Sequence, residues 1–184
     1  MPGSAIQSLL IRMGSASVAD DLHVDTRSGF GLASIMAHKG IEEATLTRAL
    51  GTTFPATIGW RGDDRLALIG TGPSTWLAYT AVGTSVFASE LASRLVGKAS
   101  VSDQSSGYII FVLKGPGARR LLQRGAPIDL HPSAFAPGSV ATTVIAHIGA
   151  IIWQVDQEPT FHVAVFRSFS QSFRRWLETA SAAL

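Results

Sequence analysis

Residues 130–155 contain no Asp, Glu, Lys or Arg, a run of 26 positions. About a quarter of the residues in an ordinary globular protein are charged, so a run of this length cannot lie along an open surface on both sides. Two strands are predicted within it, over residues 140–146 and 150–155, meeting near Ile148-Gly149. An antiparallel hairpin with one wet face alternates apolar and polar residues. Here only Thr142, Thr143 and Gln154 break an otherwise apolar pattern. Both faces are therefore expected to be covered, either by the rest of this domain or with one face against another subunit, since an obligate interface resembles a core cut in half.

The residues leading into this run set its approach. Residues 108–113 are rich in aromatic and β-branched side chains and end at Lys114-Gly115-Pro116, which predicts a strand followed by a helix. Pro116 suits the first helical position, where its missing N–H would have had no partner. Leu121 and Leu122 give the helix a buried side, and Gly125 stands where a left-handed C-terminal cap is expected. The series Pro127-Ile128-Asp129-Leu130-His131-Pro132 then predicts a turn.

Upstream, residues 30–37 read as a strand and 41–50 as a helix with Glu42 and Glu43 in its first turn, where the helix dipole favours anions. Gly51 closes that helix. A loop over 54–64 ends in the turn signal Asp63-Asp64, followed by strands at 65–69 and 75–80. Phe87, Leu91 and Leu95 form one stripe of a helix over 84–96, which Gly97 ends.

The second half repeats the first. Setting Lys39-Gly40 on Lys114-Gly115, an offset of 75 residues, brings Leu46 onto Leu121. Setting Pro73 on Pro159, an offset of 86, brings Ala78 onto Ala164, Phe87 onto Phe173 and Leu91 onto Leu177. The difference of 11 is the length of an extra segment over residues 128–138. The predicted fold class is α+β, with two pseudo-repeated split βαβ-like halves in which antiparallel sheets pack against helices. The halves are placed at about 28–97 and 98–184, in one compact domain over 28–184. Residues 1–27 are Ser/Ala/Gly-rich and are expected to be a mobile tail or a partner-binding arm anchored by Ile6, Leu9, Leu10 and Ile11.

At 184 residues, 46% apolar and 15% charged, the chain can bury a full core with apolar surface left for a partner. It has no cysteine, which removes disulfides, thiolate nucleophiles and cysteine-ligated metals. A formal charge of +2 does not argue for nucleic acid. The apolar runs are far shorter than the ~20 residues a membrane helix needs, and no signal peptide is visible, so a soluble, cytoplasmic protein is expected.

A search for chemistry returns structural roles. None of the five histidines stands in an HxxH or HExxH spacing. His131 and His147 are expected to hydrogen-bond turns, Asp103 to bond backbone amides at a strand start, and Asp129 to cap a turn. There is no Gly-x-Ser-x-Gly elbow, dinucleotide fingerprint or phosphate loop, and Pro116 deprives the Gly115-Pro116-Gly117 turn of an N–H that an anion would use. Arg120 and Arg124, four apart on one helix, and Arg174, beside Arg175 and Trp176, are expected to lie outward. They are either solvated or guide docking onto an acidic partner.

An ordered series of motifs resembles a known family: Ser102-Asp103-Gln104-Ser105, Gly115-Pro116-Gly117-Ala118, Ile128-Asp129-Leu130-His131-Pro132 and Ile145-Ala146-His147-Ile148-Gly149. It continues through Trp153-Gln154-Val155-Asp156, Pro159-Thr160-Phe161 and Arg167-Ser168-Phe169, and reaches back through Thr71-Gly72-Pro73 and Trp76-Leu77 to about Phe30. The chain resembles the gamma subunit of bacterial heterotetrameric sarcosine oxidase, a family similar in fold to the folate-binding domain of glycine-cleavage aminomethyltransferases. The resemblance implies a non-catalytic small subunit that assembles and stabilises large alpha and beta flavoprotein subunits, alongside a small delta subunit. The implied holoenzyme oxidatively demethylates sarcosine to glycine with oxygen as acceptor, carries FAD, FMN and NAD in its large subunits, and passes the one-carbon unit to tetrahydrofolate. No catalytic, cofactor-binding or metal residue is assigned to this chain. The alternatives are a stand-alone folate-binding or aminomethyltransferase-like protein, or a gamma-type subunit of a complex oxidising another N-methylated amine.

Overall fold

A computed structural model describes residues 21–55 and 58–184, so the anchors expected at Ile6, Leu9, Leu10 and Ile11 lie outside the described residues. The chain divides into two compact units: residues 29–107, and the residues up to Ser28 together with 108–184. A first strand, β1 (His23–Thr26), belongs to the latter.

In the 29–107 unit, β2 (Gly31–Ala37) leads to α1 (Glu43–Leu50), then to strands β3 (Trp60–Gly62), β4 (Ala67–Gly72) and β5 (Thr75–Thr80). The unit closes with α2 (Phe87–Arg94) and β6 (Ala99–Asp103). The strands form one sheet in the order β3-β4-β5-β2-β6, every neighbour antiparallel. Leu46 and Leu50 of α1 and Leu91 of α2 pack with Ala33, Ile35, Leu68, Trp76 and Ala78 of the strands. Each such large side chain stabilises the fold by roughly 1.5–3 kcal/mol through removal of its apolar surface from water. The expected left-handed stop is present at Gly51, whose φ is 67° and whose N–H reaches the Thr47 carbonyl at 2.7 Å. Two features differ from the sequence expectation. The loop predicted at 54–64 contains β3, a strand too short for periodicity to reveal. The division between the units falls after Gly107 and not near residue 97, because β6 pairs along β2, from Ala33 opposite Asp103 to Ala37 opposite Ala99.

The other unit repeats this plan. β7 (Tyr108–Lys114), α3 (Pro116–Gln123), β8 (Val140–Ile145), β9 (Ile148–Gln154), β10 (Phe161–Phe166) and α4 (Ser170–Ser181) follow in sequence. The sheet runs β1-β7-β10-β9-β8, the same arrangement strand for strand. The offset of 86 carries β5 (Thr75–Thr80) onto β10 (Phe161–Phe166) without a gap. Register corrects the other offset. Ala33 faces Ala78 in one sheet and Ile110 faces Ala164 in the other, so β2 maps onto β7 at 77 residues and not 75. The edge position that β6 fills from the C-terminal side of its unit is filled here by β1 from the N-terminal side. Residues 23–26 are therefore a strand of the sheet and not a segment preceding it.

Three further expectations are corrected. Gly125 does not have a positive φ. It is glycine because a Cβ there would lie 2.5 Å from Trp176 Cζ2 and 3.0 Å from Ile145 Cγ2. The hairpin turns at Ala146-His147, with φ of 48° and 68°, and not at Ile148-Gly149, since Ile145 and Ile148 close the ladder. Two adjacent positive φ values mark the tight turn whose twist matches a hairpin. Finally, only β9 is covered on both faces, from Ala150 through Gln154. β8 exposes Thr142 and Val144 because it is the last strand of the sheet. Ile145, by contrast, is 0% exposed. Replacing it with Asp buries an unpaired carboxylate and should cost about 3 kcal/mol or more, read as a lowered urea midpoint; an unchanged midpoint would contradict the burial described.

Candidate functional site

One side chain of α3 holds several groups of the uncharged run. Arg119, on the core side of α3, donates from Nη1 to the carbonyl of Leu130 and, at 3.2 Å, to that of Phe135. Its Nη2 donates to Gln154 Oε1 at 2.9 Å. The guanidinium also lies over the Phe161 ring at 5.1 Å, a favourable placement for a planar cation. Gln154, buried in β9, passes the connection on by donating from Nε2 to the Asp156 carbonyl at 2.8 Å. Asp156 Oδ1 in turn accepts the Thr160 N–H at 3.0 Å. Partial burial lowers the pKa of Arg119 from its usual value, yet a guanidinium stays charged throughout the working range. Sequence reading singled out Arg120 and Arg124 and passed over Arg119. The signal for it was the uncharged run itself, whose loop carbonyls must take donors from elsewhere.

The turn at 128–138 is the segment that Arg119 holds. Asp129 is exposed and its Oδ1 accepts the His131 N–H at 2.8 Å. His131 Nδ1 meets Ser133 Oγ at 2.7 Å, and the His131 carbonyl accepts the N–H groups of Ala134 and Phe135 at 2.9 and 2.8 Å. These local bonds turn Leu130 and Phe135 inward, to 0% and 5% exposure.

The Gly115-Pro116-Gly117-Ala118 motif is a seat for the segment preceding β1. The Gly117 N–H donates to the Asp21 carbonyl at 2.8 Å. A Cβ at Gly115 would come within 2.5 Å of that oxygen, and one at Gly117 within 3.0 Å of it and of Leu22 Cβ. Both glycines are thus required by close backbone approach. Arg120 Nη2 pairs with Asp21 Oδ2 at 3.0 Å, and Arg124 Nη1 donates to the Ala183 carbonyl at 3.0 Å. Arg174 lies half-buried with its Cζ 5.9 Å from the Phe111 ring centroid. Each of these three arginines meets this chain's own residues. His147 sits exposed at the hairpin turn, apart from the Asp129–His131 cluster in sequence and role.

A polar row crosses the face of the sheet away from α3 and α4. Cross-strand register places Asp25, Val112, His162, Trp153 and Val140 side by side. Asp25 Oδ2 lies 3.3 Å from His23 Nε2, and the His162 ring meets the Trp153 ring edge-on at 5.1 Å. Burial, aided by the cations of Arg27 and Lys114 and opposed by Asp156, lowers the His162 pKa from 6.5 to about 3. The ring is therefore neutral at neutral pH. Periodicity alone placed His162 in a strand but gave no sign of this environment.

The acids are committed to backbone in the same manner. Asp63 Oδ1 accepts the N–H groups of Arg65 and Leu66 at 2.8 and 3.2 Å. Asp103 Oδ1 accepts that of Ser105 at 2.8 Å. Both carboxyls are held below their usual pKa by these bonds. Among the described residues, no group of three or more His, Asp or Glu side chains could hold a metal ion, and no helix is long and apolar enough to cross a membrane.

Two antiparallel five-stranded sheets with helices on one face define a fold of the aminomethyltransferase class. Glycine cleavage system aminomethyltransferase T from Bartonella henselae is similar over 85% of this chain and 45% of its own, at 14% identity and a TM-score of 0.63. The profile of the sarcosine oxidase gamma subunit family matches residues 36–183, and the chain belongs to that family. A sarcosine oxidase subunit gamma from an Arthrobacter species is 31% identical over 73% of this chain, and the match spans 66% of that relative's length. A chain of the heterotetrameric sarcosine oxidase from Corynebacterium sp. U-96, in complex with pyrrole 2-carboxylate, matches 88% of this chain and 84% of its own at 25% identity and a TM-score of 0.80.

Two measurements test this account. Arg119→Met should lower stability by roughly 2–3 kcal/mol, because two carbonyls and an amide oxygen lose a charged donor. Arg119→Lys should recover only part of that, since an ammonium cannot span the three acceptors. For His162, the unfolded chain binds a proton below about pH 6.5 that the fold refuses until about pH 3. Stability is therefore complete above pH 6.5 and falls as the pH drops, by about 2 kcal/mol at pH 5. His162→Gln should flatten the urea-midpoint profile between pH 7 and pH 5; an equally steep profile in the variant would remove His162 as its source.

Proposed function

We propose that this chain is the small gamma subunit of a heterotetrameric oxidase that demethylates sarcosine to glycine, and that its role is to assemble and steady the large flavoprotein subunits. The observation that carries the reading is the likeness to a chain of the Corynebacterium heterotetramer, at a TM-score of 0.80 over 88% of this chain. Family membership supports it independently. The partners in this reading are the alpha and beta subunits and a small delta subunit, and FAD, FMN and NAD reside in the large ones.

A helix N-terminus is a ready site for a phosphate-bearing group, and two of those in this chain are unsuited to one. At α3, Pro116 has no N–H and that of Gly117 is taken by the Asp21 carbonyl, while α1 begins at Glu42 and Glu43, which repel an anion. The two acids of the motif series serve turns: Asp103 and Asp129 each accept a backbone N–H group, from Ser105 and His131, through Oδ1. In this reading the chain contributes a shaped surface to the complex.

Co-expression with the alpha, beta and delta subunits of the same source organism, with purification through a tag on this chain, tests the reading. The expected result is a yellow complex that oxidises sarcosine, whereas the chain purified alone is colourless. A chain that leaves the other subunits behind, or that binds stoichiometric flavin or tetrahydrofolate by itself, would overturn it.

A further inference from the structure

The repeat leaves one place filled in one unit and open in the other. In the unit that holds residues 108–184, Trp176 of α4 packs on Phe173, with ring centroids 5.5 Å apart. Its indole lies over Gly125, close enough that a Cβ there would meet Cζ2 at 2.5 Å, and Ile145 at the end of β8 adjoins the same spot. The offset of 86 sets Phe87 on Phe173 and Glu90 on Trp176. Helix α2 thus keeps the Phe of this pair and carries a carboxylate in place of the indole.

A groove of about 650 Å³ opens there, along α2 and beside the turn between β3 and β4. That turn is the counterpart of the β8–β9 hairpin, against which Trp176 lies in the other unit. Leu66, Val86, Phe87 and Leu91 give the groove an apolar floor, and the exposed Arg65 and Glu90 stand at its rim. Val86 is 47% exposed and Phe87 is half-buried, so the floor faces water.

We propose that this groove receives the side chain of a tryptophan from a large partner subunit. The proposal rests on the subunit reading above. The chain's own α4 shows the chemistry that suits the place: an indole laid on a Phe ring beside an aliphatic side chain. The two rim groups match the same ring. The Glu90 carboxylate can accept an indole N–H, which a buried tryptophan needs to have paired, and the Arg65 guanidinium suits an aromatic face. A Phe ring in the groove would strip water from Glu90 and give it no donor in return. Tryptophan seated in a pocket is among the side chains that carry most of the binding energy at protein interfaces.

Glu90→Trp fills the groove from within, as Trp176 does in the other unit. The isolated variant should melt at or above the wild-type temperature, while its capture of the other subunits on co-expression falls about tenfold, equivalent to ~1.4 kcal/mol. Val96→Lys, 72% exposed and outside the groove, should be captured as the wild type is. Ser93→p-benzoylphenylalanine, at the groove's edge, should cross-link on irradiation of the complex to a tryptophan-bearing peptide of a large subunit. Undiminished capture of a folded Glu90→Trp overturns the proposal, and so does an equal loss in Val96→Lys. A cross-link to a peptide without tryptophan, to a second copy of this chain or to its own residues 1–20, or no cross-link at all, overturns it too. If Glu90→Trp does not fold, Val86→Asp takes its place: Asp suits the position before a helix, and its charge on the apolar floor should lower capture likewise. Failure of the wild-type chain to join the complex sinks the subunit reading itself, and is told apart because no variant is involved.

Discussion

The Arg119 guanidinium supplies what the longest uncharged run of the chain lacks. Residues 130–155 form a loop and a hairpin without a single cation or anion, and their buried acceptors must still be paired. One side chain from α3 meets the carbonyls of Leu130 and Phe135 and the amide oxygen of Gln154. That contact joins three stretches distant in sequence: the helix, the turn at 128–138 and the end of β9. Because Gln154 then holds the Asp156 carbonyl and Asp156 holds the Thr160 N–H, the same cation sets the entrance to β10. The turn has no counterpart in the other unit, so the repeat alone could not position it. An added segment of this kind needs an added tether.

Duplication explains most of the remaining architecture and also its one asymmetry. In the 29–107 unit the outer strand beside β2 is β6, which follows α2 directly. In the other unit the equivalent position beside β7 is filled by β1, which precedes that strand in the sequence. A strand arriving from that direction must cross the start of α3. The two glycines of Gly115-Pro116-Gly117-Ala118 make the crossing possible by admitting the Asp21 carbonyl and Leu22 where side chains would stand. A motif that resembles a phosphate loop in its glycine content is thus occupied by the protein's own backbone.

How far the sequence alone reveals this can be argued residue by residue. The helix stripe of Phe87, Leu91 and Leu95 and the match of Ala78 to Ala164 were legible because they follow from period and repeat. Asp129 was legible as a turn anchor because an Asp two residues before a backbone N–H has a local geometry that sequence spacing shows, whereas Asp103, expected at a strand start, stands at the end of β6. Gly125 was misread as a helix cap: its requirement is the Trp176 indole, 51 positions away, and no local rule sees that. Arg119 was hidden for the same reason, since it looks like Arg120 until the fold brings Leu130 and Phe135 over α3. The expectation that both faces of the uncharged hairpin are covered held for β9 and not for β8, because composition cannot tell a central strand from the last one.

The distribution of polar contacts bears on how this fold is held together. A catalytic carboxylate must be free to meet substrate, and a binding cation must be open to its ligand. Here Asp21 faces Arg120, Asp25 faces His23, and Asp63, Asp103, Asp129 and Asp156 face backbone N–H groups. His162 is neutral beneath Trp153, its proton refused down to about pH 3. Groups engaged in this way stabilise a shape and are poorly available for chemistry. The uncharged run is the hardest part of this chain to hold, because its loop carbonyls depend on a cation brought from α3.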